Sequence, residues 1–432
     1  MSWKDSYSSK KVGAAEAVKH IKSGDRVVVG HACGEPQTII QAMVDSAELY
    51  KDVEIVHMVA MGKGEYAKPH MQKHFRHNGL FLGRATRDAV EEGRADYTPC
   101  FFFEVPRLFK RNILSVDVAL IQVSKPDDNG NCSLGVSCDY TKAAAENARI
   151  IIAQVNEMMP VTFGDCMVNI DEIDFIVEKA EPIIELKRAE IGSTEKKIGQ
   201  YCASLIEDGS TLQLGIGGIP DAVLTFLKDK NDLGIHSEMF SDGVLELFNS
   251  GNITNKKKTL HKDKFVATFM MGSKKLYDFI DNNSAVEMYP VDYVNNPFVI
   301  SKNYNMVSIN SAIQVDLTGQ VAAETIGSKQ FSGTGGQVDF VRGASYAPNG
   351  KSIIALPSTA AKGKISRIVP IIDEGSAVTT SRNDVHFIIS EYGIADLRGK
   401  TLKERAKALI DISHPAFKDE LIEQATKKFG RI

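Results

Sequence analysis

The amino-acid sequence predicts an α/β protein made of two related open domains with largely parallel sheets. Three observations support this prediction: strand-like and helix-like segments alternate along the 432 residues, the strands are apolar at consecutive positions, and one pattern occurs in both halves. Strands that are apolar at every position fit a parallel sheet whose two faces are both covered. Their alternation with amphipathic helices is typical of the α/β class.

The predicted strands are short runs rich in β-branched residues, and amphipathic helices lie between several of them. The strands cover residues 26–29, 53–59, 116–123, 150–155, 211–214 and 352–356, and the helices cover residues 38–49, 196–206 and 222–227. The apolar run at 116–123 has the length of a buried strand, far short of the ~20 residues that cross a membrane.

The repeated pattern is IKSGDRVVVG at residues 21–30 and IEDGSTLQLG at residues 206–215, each followed by a proline and a helix. An aspartate, Asp52 or Asp232, then precedes the next strand of each half. We therefore predict two related domains, residues 1–189 and residues 190–432, divided within a charged stretch. A chance match is the alternative, because glycine and proline mark such turns in many α/β proteins.

Composition and charge narrow the class of protein. Lys and Arg number 51 and Asp and Glu number 55, so the formal net charge is −4, which does not suit a nucleic-acid partner. Six cysteines without a C-x-x-C pair predict reduced thiols, and the polar N-terminus has no apolar signal core. We expect a cytoplasmic protein with no membrane partner.

A glycine-rich loop follows one predicted strand and opens a helix. It consists of Gly215, Ile216, Gly217, Gly218, Ile219 and Pro220. Backbone N–H groups in such a loop suit a phosphate or a developing oxyanion. The loop nearly matches the dinucleotide fingerprint G-x-G-x-x-G, with Glu238 where a ribose-binding acid would lie, but Pro220 replaces the third glycine. An NAD-dependent dehydrogenase and a plain tight turn therefore remain alternatives.

Acidic residues and further glycines complete the candidate site. Glu238 follows a short strand, where a carboxylate can attack a carbonyl and form a covalent intermediate. Its alternative role is a helix cap or a surface ion pair. Gly335 and Gly336 lie in a second glycine cluster, which permits close approach of backbone to a ligand. Glu391 comes directly after the apolar run 387–389 and again places an acid at the end of a strand.

Two other patterns predict little chemistry. His70, His74 and His77 would share one face of a helix, as a zinc site requires, but they lie among cations, so a solvated basic face is the preferred interpretation. The basic stretch 256–264 is predicted to be a solvated loop, with contact to a phosphorylated ligand as the alternative.

At these residues the sequence resembles the class I CoA-transferases of the acetyl-CoA hydrolase/transferase family. The resemblance covers nearly the whole chain, through residues 124–133, 202–220, 331–343 and 390–399 and the surroundings of Glu238. Strings of this length are specific for the family and less specific for the acid that is used.

The resemblance implies that Glu238 attacks an acyl-CoA, that an anhydride and then a glutamyl-CoA thioester form, and that kinetics are ping-pong. It implies that Glu391 orients the nucleophile and that the loop 215–219, Gly335, Gly336 and Lys364 contact the coenzyme or the oxyanion. The active site is expected in the cleft between the domains. CoA thioesters are substrates here, and no metal or other permanently bound cofactor is expected.

The implied reaction moves CoA between acetyl-CoA or butyryl-CoA and a carboxylate such as 4-hydroxybutyrate. Alternatives are a butyryl-CoA or propionyl-CoA:acetate CoA-transferase, an acetyl-CoA hydrolase and a CoA-binding regulatory protein without activity. A homo-oligomer, dimer or tetramer, is expected from the family.

Overall fold

The computed structural model describes residues 2–431. Strands β1 to β25 cover, in chain order, Arg26–Val29, Val53–Val56, Phe75–Gly79, Asp96–Tyr97, Val116–Val123, Asn131–Ser133, Ala148–Val155, Phe163–Gly164, Met167–Asn169, Phe175–Glu178, Thr211–Leu214, Gly234–Ile235, Phe265–Ala267, Val286–Met288, Met306–Ser311, Gln314–Asp316, Val321–Ala322, Thr325–Ile326, Lys329–Gln330, Lys351–Ala355, Thr359–Ala360, Ile365–Ser366, Ile368–Val369, Phe387–Ser390 and Gly393–Asp396.

Fifteen α-helices accompany these strands within the described residues. Helices α1 to α15 cover, in chain order, Trp3–Lys10, Ala14–Ala17, Gln37–Asp45, Arg87–Glu91, Val105–Lys110, Thr141–Asn147, Ser193–Ser204, Gly218–Thr225, Asp242–Asn249, Lys274–Ile280, Val291–Val294, Pro297–Ile300, Gln337–Tyr346, Leu402–Asp411 and Lys418–Phe429. In the part of the chain from residue 2 to residue 431, no helix has the length and apolar character needed to span a membrane.

The chain forms two compact units. Unit 1 comprises Met1–Lys187 and Val266–Val294, and unit 2 comprises Arg188–Phe265 and Asn295–Ile432. The first division falls two residues before the predicted one at residue 189. The predicted second domain also contained residues 266–294, which the structure places in unit 1 because their backbone pairs with that unit. The backbone carbonyl of Thr268 accepts from the backbone N–H of Cys138, for example, and β14 pairs with β8.

Unit 1 is built on a seven-stranded sheet in the order β10-β7-β5-β1-β2-β3-β4. Every pairing in this sheet is parallel. Its interior strand β5 is buried at seven of its eight positions, as the apolar run predicted. The buried positions of β1 and β2 pack with helix α3 in a core that includes Val27, Ile39, Met43 and Ile55.

Unit 2 is built on a six-stranded sheet in the order β12-β11-β15-β20-β24-β25. The first five strands are parallel, and β25 joins in antiparallel orientation as a hairpin with β24. Ile354 and Ile388 of this sheet pack with Leu409 of α14. The prediction of largely parallel sheets in an α/β fold is confirmed.

The two main sheets share a strand order. In each unit the first strand, β1 or β11, lies between the second, β2 or β12, and a later strand, β5 or β15. Asp52 and Asp232 precede the second strands with φ of 55° and 54°, the left-handed region that short polar residues tolerate best after glycine. Shared topology and shared backbone conformation at matching positions support the predicted internal repeat.

Several details of the sequence prediction differ from the structure. Helix α8 begins at Gly218 instead of residue 222, and β2 ends at Val56 instead of residue 59. The three histidines do not share a helix, because His70 lies in a single 3-10 turn and His77 is buried in β3. Within residues 2–431 no cluster of side chains is arranged to hold a metal ion.

Candidate active site

The candidate residues of unit 2 follow strands at one edge of the six-stranded sheet. The glycine loop follows β11, Glu238 follows β12, and Glu391 follows β24. Because the carboxyl ends of parallel strands meet at the same edge, the topology places all three on one side of the sheet, where open α/β folds bind ligands.

The glycine loop presents its backbone openly. Gly217 has φ 112° and ψ −176° and caps the N-terminus of α8, which has eight residues. A Cβ built at Gly215 or Gly217 would meet no heavy atom within 4 Å. The loop therefore leaves room for a ligand beside the first N–H groups of the helix, where negative charge is favoured.

Glu238 lies three residues beyond the end of β12, on a segment tied to the neighbouring strand. The Ser237 hydroxyl donates to the Leu214 carbonyl (3.2 Å) and accepts from the Leu214 N–H (3.3 Å). Ser237 is buried, so these two bonds fix the backbone next to Glu238 against the end of β11.

The Glu238 carboxylate accepts a hydrogen bond from a buried amide. Asn295 Nδ2 lies 2.7 Å from Glu238 Oε2 and 3.5 Å from Asp339 Oδ2. Asn295 and Asp339 are both fully buried. A donor fixed on two sides holds one carboxylate oxygen in place, and it can stabilise negative charge on that oxygen during a reaction.

Gly336 makes room for the same carboxylate. A Cβ at this position would lie 1.9 Å from Glu238 Oε2 and 2.4 Å from Asn295 Nδ2, so any side chain here would displace the carboxylate or the amide. Gly336 also caps the N-terminus of α13, and Gly335 before it adopts φ 55°. The carboxylate thus lies beside the start of a ten-residue helix, whose dipole favours an anion.

Glu391 has different partners from Glu238. Its carboxylate accepts from Ser358 N (2.8 Å) and from Ser358 Oγ (2.6 Å). Four strand steps separate β12 from β24, and at about 4.8 Å a step that is roughly 19 Å along the sheet edge. The orienting role of Glu391 toward Glu238 therefore stays a prediction.

An arginine that the sequence prediction missed accompanies Glu391. The backbone N–H of Arg367 donates to the backbone carbonyl of Ser358 (2.8 Å). Burial lowers the pKa of the Arg367 guanidinium, and the negative charge of Glu391 opposes that shift. Lys364, the predicted cation, is exposed next to the turn of the β21–β22 hairpin, in which Ala361 and Lys362 both have positive φ.

The basic stretch 256–264 is not uniformly solvated, contrary to the prediction. Lys256 and Lys257 are exposed, but Lys258 is only 4% exposed and donates to two backbone carbonyls. The sequence could not show this, because three consecutive lysines are chemically identical and their burial depends on the conformation of the folded backbone. Asn295 was also missed, because it lies 57 positions from Glu238 and belongs to no recognisable motif.

Family models match both parts of the chain. The acetyl-CoA hydrolase/transferase N-terminal domain matches residues 1–186, and the C-terminal domain of the same family matches residues 272–425. These ranges contain Gly336 and Glu391, while Glu238 lies between them.

Similar proteins extend over the full length. The chain is 62% identical to the 4-hydroxybutyrate coenzyme A transferase of Clostridium kluyveri, covering 99% of this chain and 100% of that protein. It is 37% identical to the butyryl-CoA:acetate CoA-transferase of Anaerostipes caccae, covering 99% and 98%. The crystal structure of 4-hydroxybutyrate CoA-transferase from Porphyromonas gingivalis superposes with a TM-score of 0.86 at 46% identity, covering 99% and 100%.

Proposed function

Because the chain belongs to the acetyl-CoA hydrolase/transferase family and is a CoA-transferase, we propose that it moves CoA between a short-chain acyl-CoA and 4-hydroxybutyrate. Acetyl-CoA and butyryl-CoA are the proposed donors. The observation that carries the proposal is the Glu238 carboxylate, which Asn295 binds at one oxygen and against which Gly336 leaves no space for a side chain.

The proposed chemistry begins with attack of Glu238 Oε1 on the thioester carbonyl of the acyl-CoA. The C–S bond breaks, CoA leaves as a thiolate, and a glutamyl–acyl anhydride remains. The thiolate then attacks the glutamyl carbonyl, the acyl group leaves as a free carboxylate, and a glutamyl-CoA thioester remains. Reversal of these steps with 4-hydroxybutyrate completes the transfer, and no net proton transfer is needed because the carboxylates and the thiolate are anions.

Asn295 has a defined part in this scheme. When the thiolate attacks the glutamyl carbonyl, negative charge develops on Glu238 Oε2, the atom to which Asn295 Nδ2 already donates at 2.7 Å. A donor that is in place before the charge appears lowers the barrier without reorganisation. The amide is neutral, so it holds the carboxylate without the strong attraction of a cation that would weaken it as a nucleophile.

The glycine segments are proposed to hold the coenzyme. The loop of Gly215, Ile216, Gly217, Gly218 and Ile219 offers backbone N–H groups at the start of α8, and Gly335 and Gly336 do the same at α13. Anionic groups of CoA and the developing oxyanion are suitable partners for such groups.

The residues after β20 and β24 are proposed to act at a distance from Glu238. Glu391 would position the Ser358 loop, and Lys364 with Arg367 would contribute positive charge toward the coenzyme. Orientation of the nucleophile by Glu391, which the resemblance implies, stays a prediction beside this role.

The proposed setting is the cytoplasm, where a reducing environment keeps thiols from forming disulfides, and none of the six cysteines forms a disulfide in the described structure. The scheme uses CoA thioesters as substrates and requires no permanently bound cofactor. The homo-oligomeric state stays a prediction.

Initial rates test the proposed function. We expect acetyl-CoA and 4-hydroxybutyrate to give acetate and 4-hydroxybutyryl-CoA, with parallel double-reciprocal lines. Release of free CoA at the same rate without a carboxylate acceptor would identify a hydrolase instead. Reduction of NAD by 4-hydroxybutyrate without CoA would identify a dehydrogenase, and acyl-CoA binding without turnover would identify a regulatory protein.

A further inference from the structure

The strand that precedes Glu238 is the terminal strand of its sheet and has only two residues. On its inner side β12 bonds to β11, since Gly234 N donates to Ser210 O (2.9 Å) and His236 N donates to Leu212 O (3.2 Å). Successive residues of a strand direct their N–H and C=O groups to opposite sides. The polar groups of Ile235, between these two residues, therefore face the outer side of the sheet.

At Leu233, just before β12, the outer side carries a single parallel bridge to Ile253. Beyond that bridge, two side chains occupy the place of the next strand. Asn255 Oδ1 accepts from Ile235 N (2.9 Å), and Lys258 Nζ donates to Ile235 O (2.7 Å). We infer that Asn255 and Lys258 together substitute for a neighbouring strand and are positioning residues for Glu238, three residues farther along the chain. This inference rests on the proposed function, in which Glu238 is the nucleophile.

The burial of Lys258 supports a specific role. Its side chain is 4% exposed, and its ammonium donates to Lys264 O (2.6 Å) as well as to Ile235 O. Burial of a charged group costs free energy unless the group is hydrogen-bonded. We would therefore expect Lys258 to be exposed to solvent if its hydrogen bonds had no structural role. The exposed neighbours Lys256 and Lys257 show that the local chain does not require burial.

The packing around β12 fits this lysine closely. A Cβ at Gly234 would lie 2.4 Å from Lys258 Cγ, so the glycine is what lets the aliphatic stem cross the strand. Asn255 adopts φ 58°, a conformation that asparagine tolerates better than most residues. The missing side chain at Gly234 and the backbone conformation of Asn255 therefore allow Lys258 and Asn255 to contact Ile235.

The backbone before Glu238 is therefore held on both sides of β12. Ser237 ties the segment to β11 on the inner side, and Asn255 with Lys258 ties Ile235 on the outer side. Loss of the outer attachment should let Glu238 shift relative to Asn295, and small displacements of a reacting group have large kinetic effects. The glycine loop after β11 would be unaffected.

The test compares Lys258→Met with Lys256→Met and Lys257→Met as matched controls. The readouts are the single-turnover rate of CoA adduct formation from saturating acetyl-CoA and the Kd for CoA. We expect Lys258→Met to slow adduct formation about 10- to 100-fold with the Kd within about twofold of the parent, and the controls to match the parent. Lys258→Arg, which keeps charge and donors, should recover part of the rate.

Asn255 provides a second pair of variants if Lys258→Met does not fold. Asn255→Gly tolerates the positive φ and removes the acceptor, whereas Asn255→Asp keeps it, so only Asn255→Gly should slow adduct formation. Parental rates in folded Lys258→Met or in Asn255→Gly would overturn the inference while leaving the proposed function intact. Absence of an adduct in the parent protein would overturn the proposed function, and the inference with it.

Discussion

At the scale of single residues, the close approach of Gly336 to Glu238 requires a glycine at position 336, because any larger residue would meet the carboxylate. Gly336→Ala would place a methyl group 1.9 Å from Glu238 Oε2 and 2.4 Å from Asn295 Nδ2, so the carboxylate or the amide must move and the hydrogen bond between them is disturbed. We expect the transfer rate to fall about 100-fold while the protein stays folded, because the displaced atom is at the end of a side chain. Steady-state kinetics and a thermal unfolding curve measure both quantities.

Gly13→Ala is the control for this substitution. A Cβ at Gly13 meets nothing within 4 Å, and its φ of −72° suits any residue. The control should leave the transfer rate unchanged. If Gly336→Ala were as active as Gly13→Ala, the described contact with Glu238 would be wrong.

Glu35 predicts a pH dependence of stability in unit 1. Burial raises the pKa of Glu35 from 4.5 to about 7, although its carboxylate accepts from Met61 N and Gly62 N. The folded state therefore binds the proton more tightly than the unfolded chain does. The stability that protonated Glu35 contributes is complete below pH 4.5 and is lost as the pH rises to about 7.

Glu35→Gln should remove this dependence. The stability of the parent relative to the variant should fall between pH 4.5 and about 7, by on the order of 3 kcal/mol, and stay level above that range. Urea unfolding of both proteins at several pH values measures the difference. Parallel stability curves across this range would contradict the raised pKa of Glu35.

Sequence patterns identified some of these residues and missed others for a physical reason. Glu238 was predicted because a carboxylate at the end of a strand is visible in a local pattern. Asn295 and Lys258 were not, since their importance comes from contacts that form only when distant segments pack together.

At the scale of elements, the glycine loop before α8 depends on backbone conformation more than on space. Gly215 and Gly217 both have free space where a Cβ would be, but only Gly217 has a positive φ, at 112°. Gly217→Ala should weaken CoA binding by about tenfold more than Gly215→Ala, because the strained loop must rearrange its N–H groups. Titration calorimetry with CoA measures both affinities.

The loop variants also test where the coenzyme binds. Equal affinities for the two variants would show that the conformation of Gly217 does not matter to the ligand. That result would remove this loop from the proposed coenzyme site and would leave the role of Glu238 untouched.

Elements were predicted well where local sequence determines them. The β-branched runs at Arg26–Val29 and Thr211–Leu214 became strands with the expected bounds. The spacing of His70, His74 and His77 was misleading, because a spacing of four and three residues also arises in a turn followed by a strand. Periodicity over so few residues does not separate these cases.

At the scale of the whole molecule, the segment Val266–Val294 lies in the second half of the sequence but folds as part of unit 1. The predicted boundary near residue 189 came from a change in charge along the chain, and a local signal cannot show that a later segment returns to the first unit. That return is encoded in pairings such as Asp165 N to Met288 O and Leu186 N to Gly272 O.

This arrangement predicts the behaviour of a fragment. Residues 1–187 alone should not unfold cooperatively, because β8 loses β14 and several buried N–H groups lose their acceptors. The same fragment with residues 266–294 attached through a Gly/Ser linker should regain a cooperative transition. Circular dichroism during heating compares the two, and a cooperative transition of residues 1–187 alone would contradict the assignment of the segment.

The central claim is that Glu238 becomes covalently bound to CoA, and the mass of the intact protein tests it most directly. The protein is incubated with acetyl-CoA in the absence of a carboxylate acceptor, quenched with acid and weighed by mass spectrometry. We predict a gain equal to CoA less one water, located on the peptide that contains Glu238 and absent from Glu238→Gln. A parent protein that consumes acetyl-CoA without this adduct, or a Glu238→Gln variant that still carries it, would contradict the account.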